Sequence, residues 1–330
     1  MKITRNQAAY IGVAIILVLL AGLSYFAPER DEQIKLTSSY PATVCPAIGN
    51  KVSSIAALTS SKIDRRLIDG VSKRLNPGKG NVIPLKNASL LVEGNPGTSL
   101  TFANNGWKSV VPCSVSNGEQ WFVGGSGGLT SKSFLYIVNS GFSESAVDLE
   151  LFTLNGPIES KLVSVPQNST KKIAIDSLVP GEESIALAVK TRSGRVSSYL
   201  FDERKKGLSK LGGDFVTPNA IPNRRVIVTS VIGKSKTQKV NSQFLRLLAP
   251  GEVDAVVRVT YLAKSGIYSP VGLAELRVPA GKVVQIPFSS LPTGDFFALQ
   301  IDANEPVLAS VFSSVKRSLT DFAWSSGTEA

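Results

Sequence analysis

The sequence predicts an all-β protein: tandem immunoglobulin-like β-sandwich domains following one N-terminal transmembrane helix. Three observations predict it. An uncharged apolar run lies near the N-terminus, short alternating segments recur between turn signals, and two long stretches of the second half echo each other in order.

The apolar run, residues 8–27, reads AAYIGVAIILVLLAGLSYFA. As a helix rising about 1.5 Å per residue it just spans a hydrocarbon core of about 30 Å. Lys2 and Arg5 precede it without an acid, whereas Glu29, Arg30, Asp31 and Glu32 follow it. The positive-inside rule then makes residues 1–7 a cytoplasmic tail and places everything after Pro28 outside the cytoplasm. Gly22 and Ser24 offer a signal-peptidase site. The run is long for a signal peptide, however, and no cysteine follows it for lipid attachment, so an uncleaved single-pass anchor is expected. Residues 28–39, charged and polar, read as a linker.

The remaining chain is ample for more than one hydrophobic core. Aromatic residues make up only 7%, so its apolar content is carried by Val, Leu, Ile and Ala, of which the β-branched members favour strands. There is no histidine. That removes the commonest general base, the commonest zinc ligand and the usual switch near neutral pH. The net charge is +11 and uneven: Lys51, Lys62, Arg65, Arg66, Lys73, Arg74 and Lys79 face only Asp64 and Asp69, and Arg224, Arg225, Lys234, Lys236 and Lys239 have no acid between Asp214 and Glu252. Such stretches are solvated faces or attract anionic headgroups and wall polymers. No aromatics interleave with them, so nucleic acid is not an expected partner.

Residues 40–118 hold both cysteines. In a translocated chain a Cys45–Cys113 disulfide is the natural inference, with two buried free thiols as the alternative. Within this region residues 55–75 can be read as a helix, because Ile55, Leu58, Leu67, Ile68, Val71 and Leu75 fall roughly on one face, although Gly70 weakens that reading. Residues 82–102 look like short strands around the turn Asn95-Pro96-Gly97.

The repeats occupy residues 119–216 and 217–325. Phe134-Leu135-Tyr136-Ile137 is echoed by Phe244-Leu245-Arg246-Leu247, with Gly141 and Gly251 following at the same distance. Further matches keep the order: Val165-Pro166 with Val278-Pro279, Ser177-Leu178 with Ser290-Leu291, Ala186-Leu187 with Ala298-Leu299, and Leu200-Phe201 with Val311-Phe312. A shift of about 110 residues suits a duplicated domain better than a solenoid. Val147, Leu149 and Leu151 alternate with Asp148 and Glu150, the pattern of a sheet with one buried face. Two separate sandwiches are expected, with Phe134 and Phe244, and likewise Phe201 and Phe312, at equivalent buried sites.

The N-terminal run, Cys45-Pro46, Pro112-Cys113, the segment Trp121-Phe122-Val123-Gly124-Gly125 and the paired strand-turn segments opening at Phe134 and Phe244 together resemble an uncharacterised actinobacterial extracytoplasmic family, a domain of unknown function. Its relatives often carry Asn-Pro-Gly at the first turn of each repeat. Here those turns read Asn139-Ser140-Gly141 and Ala249-Pro250-Gly251. The family has no established catalytic residues, so the resemblance implies only a cell-envelope location.

The chemical motifs are weak. Gly233-Lys234-Ser235 ends like a phosphate-binding loop, but Val228 stands where the first glycine belongs. Ser169/Lys172 and Ser313/Lys316 have Ser-x-x-Lys spacing without the companion elements of acyl-transfer enzymes. Gly124-Gly125-Ser126-Gly127-Gly128 reads as a flexible joint or sharp turn. Asp302, Asn304 and Glu305 lack calcium-loop spacing and read as a solvated turn. Trp107, Trp121 and Trp324 suit a core, with Trp324, near the polar C-terminus, the candidate for an exposed binding aromatic. No catalytic residue, metal ligand or cofactor is expected. The function expected is a non-enzymatic, membrane-anchored binding or scaffold component of the envelope, or else an accessory, polymer-binding subunit for envelope glycopolymer synthesis. Its partner would be an envelope protein or an anionic or glycan polymer.

Overall fold

The computed structural model describes residues 42–48, 53–58, 64–68, 71, 73–75, 82–94, 97–104, 107–207, 209–236, 239–288, 290–316 and 320–329. The expected tail, anchor and linker lie outside the described residues. Among the described residues no helix is long and apolar enough to cross a membrane.

The described chain is all-β, with its strands in three consecutive groups, termed modules here. The first holds β1 (Ala42–Cys45), β2 (Ser53–Leu58), β3 (Arg65–Ile68), β4 (Lys73–Leu75), β5 (Val82–Leu85), β6 (Ser89–Glu93), β7 (Thr98–Asn104), β8 (Trp107–Pro112) and β9 (Ser114–Val115). The second holds β10 (Glu119–Phe122), β11 (Ser131–Asn139), β12 (Ser145–Thr153), β13 (Gly156–Val165), β14 (Ser169–Ala174), β15 (Ile185–Ser193), β16 (Val196–Lys206) and β17 (Ser209–Val216). The third holds β18 (Asn223–Ile232), β19 (Lys239–Leu248), β20 (Ala255–Ala263), β21 (Gly266–Tyr268), β22 (Leu276–Val278), β23 (Val283–Pro287), β24 (Phe296–Lys316) and β25 (Thr320–Glu329).

The first module has sheets ordered β4-β3-β6-β1-β9 and β5-β2-β7-β8, and the second has β13-β12-β15-β10 and β14-β11-β16-β17. In the third, β24 serves both sheets: its first half pairs with β18 and β20, its second half with β19 and β25, while β21 and β22 flank β20 and β23 flanks β19. Counted within its own module, the order is the same three times. The first strand lies beside the sixth, the sixth beside the third and the third beside the fourth; the other sheet runs fifth, second, seventh, eighth. In the third module β21 and β22, both beside β20, together make the fourth strand, and the long β24 is the sixth and seventh strands in one run. Pro306, which lacks a backbone donor, sits between its two halves, where the second module instead turns at Gly194 with φ of 89°.

This order departs from the immunoglobulin arrangement. The second–fifth and third–sixth pairings are shared, but the first and seventh strands have exchanged sheets. The helical reading of residues 55–75 is also corrected, because that stretch contains β2, β3 and β4. The apparent helical face came from separate strands, one of which sets Leu67 and Ile68 opposite Leu90 and Ser89.

Alternation builds the interiors. Val147, Leu149 and Leu151 of β12 point inward between half-exposed Asp148 and Glu150, and Ala255, Val257, Val259 and Tyr261 do the same on β20. The modules then stack by one repeated step. Val138 of β11 packs on Val44, Leu91 and Ile68, from the first, sixth and third strands of the module before it. Leu248 of β19 packs on Trp121, Ala186, Ala188 and Phe152, from the same three strands one module on. Phe134 lies opposite Phe201, and Phe244 opposite Phe312. Phe201 and Phe312 are buried, but Phe134 and Phe244 only partly so. Both pairs face out of their own module onto the preceding one: Phe201 joins the first module's core and Phe312 the second's. No sheet runs through both segments, yet the modules are welded side by side rather than separate.

Cys45 and Cys113 are disulfide-bonded, with Cα atoms 4.8 Å apart and a sequence separation of 68. The bond ties β1 to the residue between β8 and β9. Closing a loop of this length contributes about 4 kcal/mol on the chain-entropy account.

Candidate functional site

The strand geometry separates most motif residues found in the sequence. Residues three apart on a strand face opposite sides. Accordingly Ser169 donates to the Pro166 carbonyl at 2.7 Å while Lys172 lies over the Phe134 ring at 3.8 Å, and Ser313 is occupied by Gln243 Nε2 at 2.6 Å. At Gly233-Lys234 the backbone amides donate to Asp295 and Pro292 carbonyls at 2.9 and 2.8 Å, which leaves no cradle for a phosphate. Residues 124–128 are not a flexible joint: all are buried, and a Cβ on Gly124 would meet Val216 at 2.7 Å. Trp324 is not an exposed binding aromatic. Only 6% of it is accessible, as β25 is an interior element of the joint between the second and third modules.

That joint holds a buried ionic cluster. Asp202 and Asp214 are cross-strand partners on β16 and β17. Trp324 bridges them, its indole Nε1 donating to Asp202 at 3.0 Å and its backbone N to Asp214 at 2.9 Å. Asp202 also accepts from Ser131 at 2.6 Å, Ser133 at 2.9 Å and Arg204 Nε at 2.8 Å. Burial pushes its carboxyl up, but Arg204 and these donors outweigh burial and hold it below the ordinary value. Arg246 is fully buried. Its guanidinium donates to the carbonyls of Gly125 at 2.8 Å and Ile185 at 3.1 Å and to Gln285 Oε1 at 2.9 Å, and burial lowers its pKa to about 9, leaving it charged at neutral pH. Of this cluster the sequence singled out Trp324 but none of the charged groups around it. The available signal was a charge at Arg246 in the middle of the apolar run Phe244 to Leu248.

The accessible site is elsewhere. The outer face of the first–sixth–third strand sheet packs against the following module in the first two modules; among the described residues no module covers it in the third. On it Asp302 lies in register between Arg225 and Arg258. Together with Asn223, Arg224 and Val256 they line an open cleft of about 700 Å³. Arg225 Nε donates to Asp302 at 2.6 Å, and Arg224 pairs with Glu305 at 3.6 Å. Burial raises the Asp302 carboxyl, but hydrogen bonds from Gln300 and Arg225, with the charges of Arg225 and Arg258, bring it below its usual value. Asp302, Asn304 and Glu305 are thus part of a strand rather than a turn, each with a protein partner. On the same face of the sheet, further along the strands from the cleft, Phe296 is 61% and Ile267 75% exposed. Guanidinium forks of this kind take up carboxylate, sulfate or phosphate groups in pairs of hydrogen bonds.

The fold and this face define a stack of β-sandwich modules with an arginine-lined end. The chain belongs to a family of unknown function, DUF5719, which matches residues 108–330. No curated protein and no solved structure matches it.

Proposed function

We propose that the protein is a non-enzymatic, membrane-anchored extracytoplasmic component of an actinobacterial cell envelope, and that its binding surface is the open face of the third module. The observation that carries this reading is the cleft: the face that twice receives a neighbouring module here holds Arg224, Arg225 and Arg258 in reach of solvent. The apolar run at residues 8–27 supplies the tether, and the charges around it put the modules outside the cytoplasm. Asp202 and Arg246 are fully buried and Asp214 half-buried, and all three are occupied by protein partners, so their perturbed charges serve the joint between modules rather than a substrate.

The chemistry of the cleft favours an anionic group on a glycan or other wall polymer, which also supports the reading as an accessory, polymer-binding subunit for glycopolymer synthesis. Detergent-solubilised full-length protein should be retained on isolated anionic wall polysaccharide and released by salt. The double substitution R225E/R258E should weaken retention about tenfold or more, since it removes two charge-assisted contacts. Unchanged, salt-insensitive retention by the double variant would remove the cleft from the account.

A further inference from the structure

We propose that Asp214 is a protonation latch for the whole stack: protonated it holds the three modules together, and ionised it loosens the third. Its carboxyl is the meeting point of all three. Oδ1 accepts from Ser109 Oγ of β8, Asp214 itself belongs to β17, and Oδ2 accepts from the Trp324 backbone N of β25. Directly across the sheet stands Asp202, which grips the indole of the same Trp324.

Two carboxyls side by side, Asp202 fully buried and Asp214 half-buried, disfavour joint ionisation, and their surroundings decide which keeps its charge. Asp202 has Arg204 and two serine hydroxyls. Asp214 has only neutral donors and faces a further acid, Asp321 of β25. The charged groups facing this pair are therefore Asp202 and Arg204 of β16, Asp321 of β25 and Arg246 of β19; Lys108 of β8 lies on the opposite side of its strand from Ser109. Burial pushes Asp214 up to about 7, with hydrogen bonds from Ser109, Trp324 and Phe215 holding it back and Asp321 adding to the rise. A proton taken from solvent onto Oδ1 reverses the Ser109 hydrogen bond, which a hydroxyl oxygen can accept, and leaves the Trp324 contact in place.

The folded pKa lies above the ordinary carboxylate value, so the stabilisation is complete at acid pH and is lost as pH rises through about 7. Hydrogen exchange of the β25 amides in the full-length protein, corrected for intrinsic rates, reads this directly. From pH 5 the opening equilibrium should rise by up to about tenfold per pH unit and level off above about 7. D214N should lose most of the rise, because its amide nitrogen can donate to Ser109 while its oxygen accepts from Trp324; the remaining slope belongs to Asp321, whose carboxyl burial also raises. D321N, which removes the facing acid, should move the plateau to lower pH and decides the matter if D214N does not fold. A flat wild-type profile, an unshifted plateau in D321N, or the wild-type slope persisting in D214N would overturn the latch.

Discussion

The two joints of the stack use one geometry and differ in chemistry at the matched central position. In the first, the second strand of the incoming module presents Tyr136, and Tyr199 alongside donates its hydroxyl to the Val44 carbonyl and accepts from Ser114 N at 2.5 Å. Burial pushes the Tyr199 phenol up to about 12, so this position stays neutral, and the charge at the first joint sits at its margin, where Arg66 donates to the Ser140 carbonyl at 2.5 Å and to Asn168 Oδ1. Phe102, Trp107 and Phe201 fill the rest, with ring centroids 4.7 to 5.8 Å apart. In the second joint the position matching Tyr136, two residues beyond the register phenylalanine, is Arg246. A phenol needs one acceptor, whereas a buried guanidinium needs several. The loop at residues 124–128 and the start of β15 provide them as carbonyls, and Arg204 and Arg246 both lie near the Trp324 ring, 5.6 and 5.1 Å from its centroid. The step between modules therefore tolerates either kind of side chain, but the charged version commits its neighbours to specific polar positions.

Substitutions can break this comparison in order of size. Arg246→Ala should be the most damaging, about 5 kcal/mol in urea unfolding, because it strands buried acceptors and removes a charge that balances Asp202. Phe201→Ala and Phe312→Ala should cost roughly 3 to 4 kcal/mol each, and nearly equally, since they fill matching positions at the two joints. A clear inequality would show that the joints are matched in topology and not in energy. Tyr199→Phe should cost only about 1 to 2 kcal/mol, the loss of a neutral hydrogen-bonding hydroxyl, with no change in pH dependence.

The sequence disclosed most of what short-range chemistry controls. Alternation along residues 147–151 marked a strand with one buried face, and the paired echoes brought Phe134/Phe201 and Phe244/Phe312 to matching register positions. The strand order of the first module was hidden, because its strands are short and their apolar residues happened to mimic a helical spacing from Ile55 to Leu75. The buried cluster was hidden for another reason. Trp324 meets Asp202 across 122 residues and Asp214 across 110, and Arg246 meets Gly125 across 121, so beyond the lone charge at Arg246 no local pattern announces them. The cleft was half legible: Arg224 and Arg225 stood out as a basic stretch, but Asp302 and Arg258, which complete the row across the sheet, come from two other strands.

The same row differs between modules in a way that bears on function. In the second module Lys190 lies between Glu119 and Asp148, and in the third Asp302 lies between Arg225 and Arg258, an inversion of charge at matching strand positions. The third gathers Arg224, Arg225 and Arg258 in one open cleft, whereas the second exposes Arg192, paired with Asp148. Photocrosslinking in intact cells tests this most directly, with the crosslinker placed in full-length protein at Val256, in the cleft, and at Leu162, on exposed β13 of the second module. Capture of an anionic envelope polymer or its carrier from Val256, abolished by R225E/R258E and absent from Leu162, is the result expected. Equal capture from both positions, or capture at Val256 that survives the charge reversal, would contradict the assignment of the open face as the binding surface.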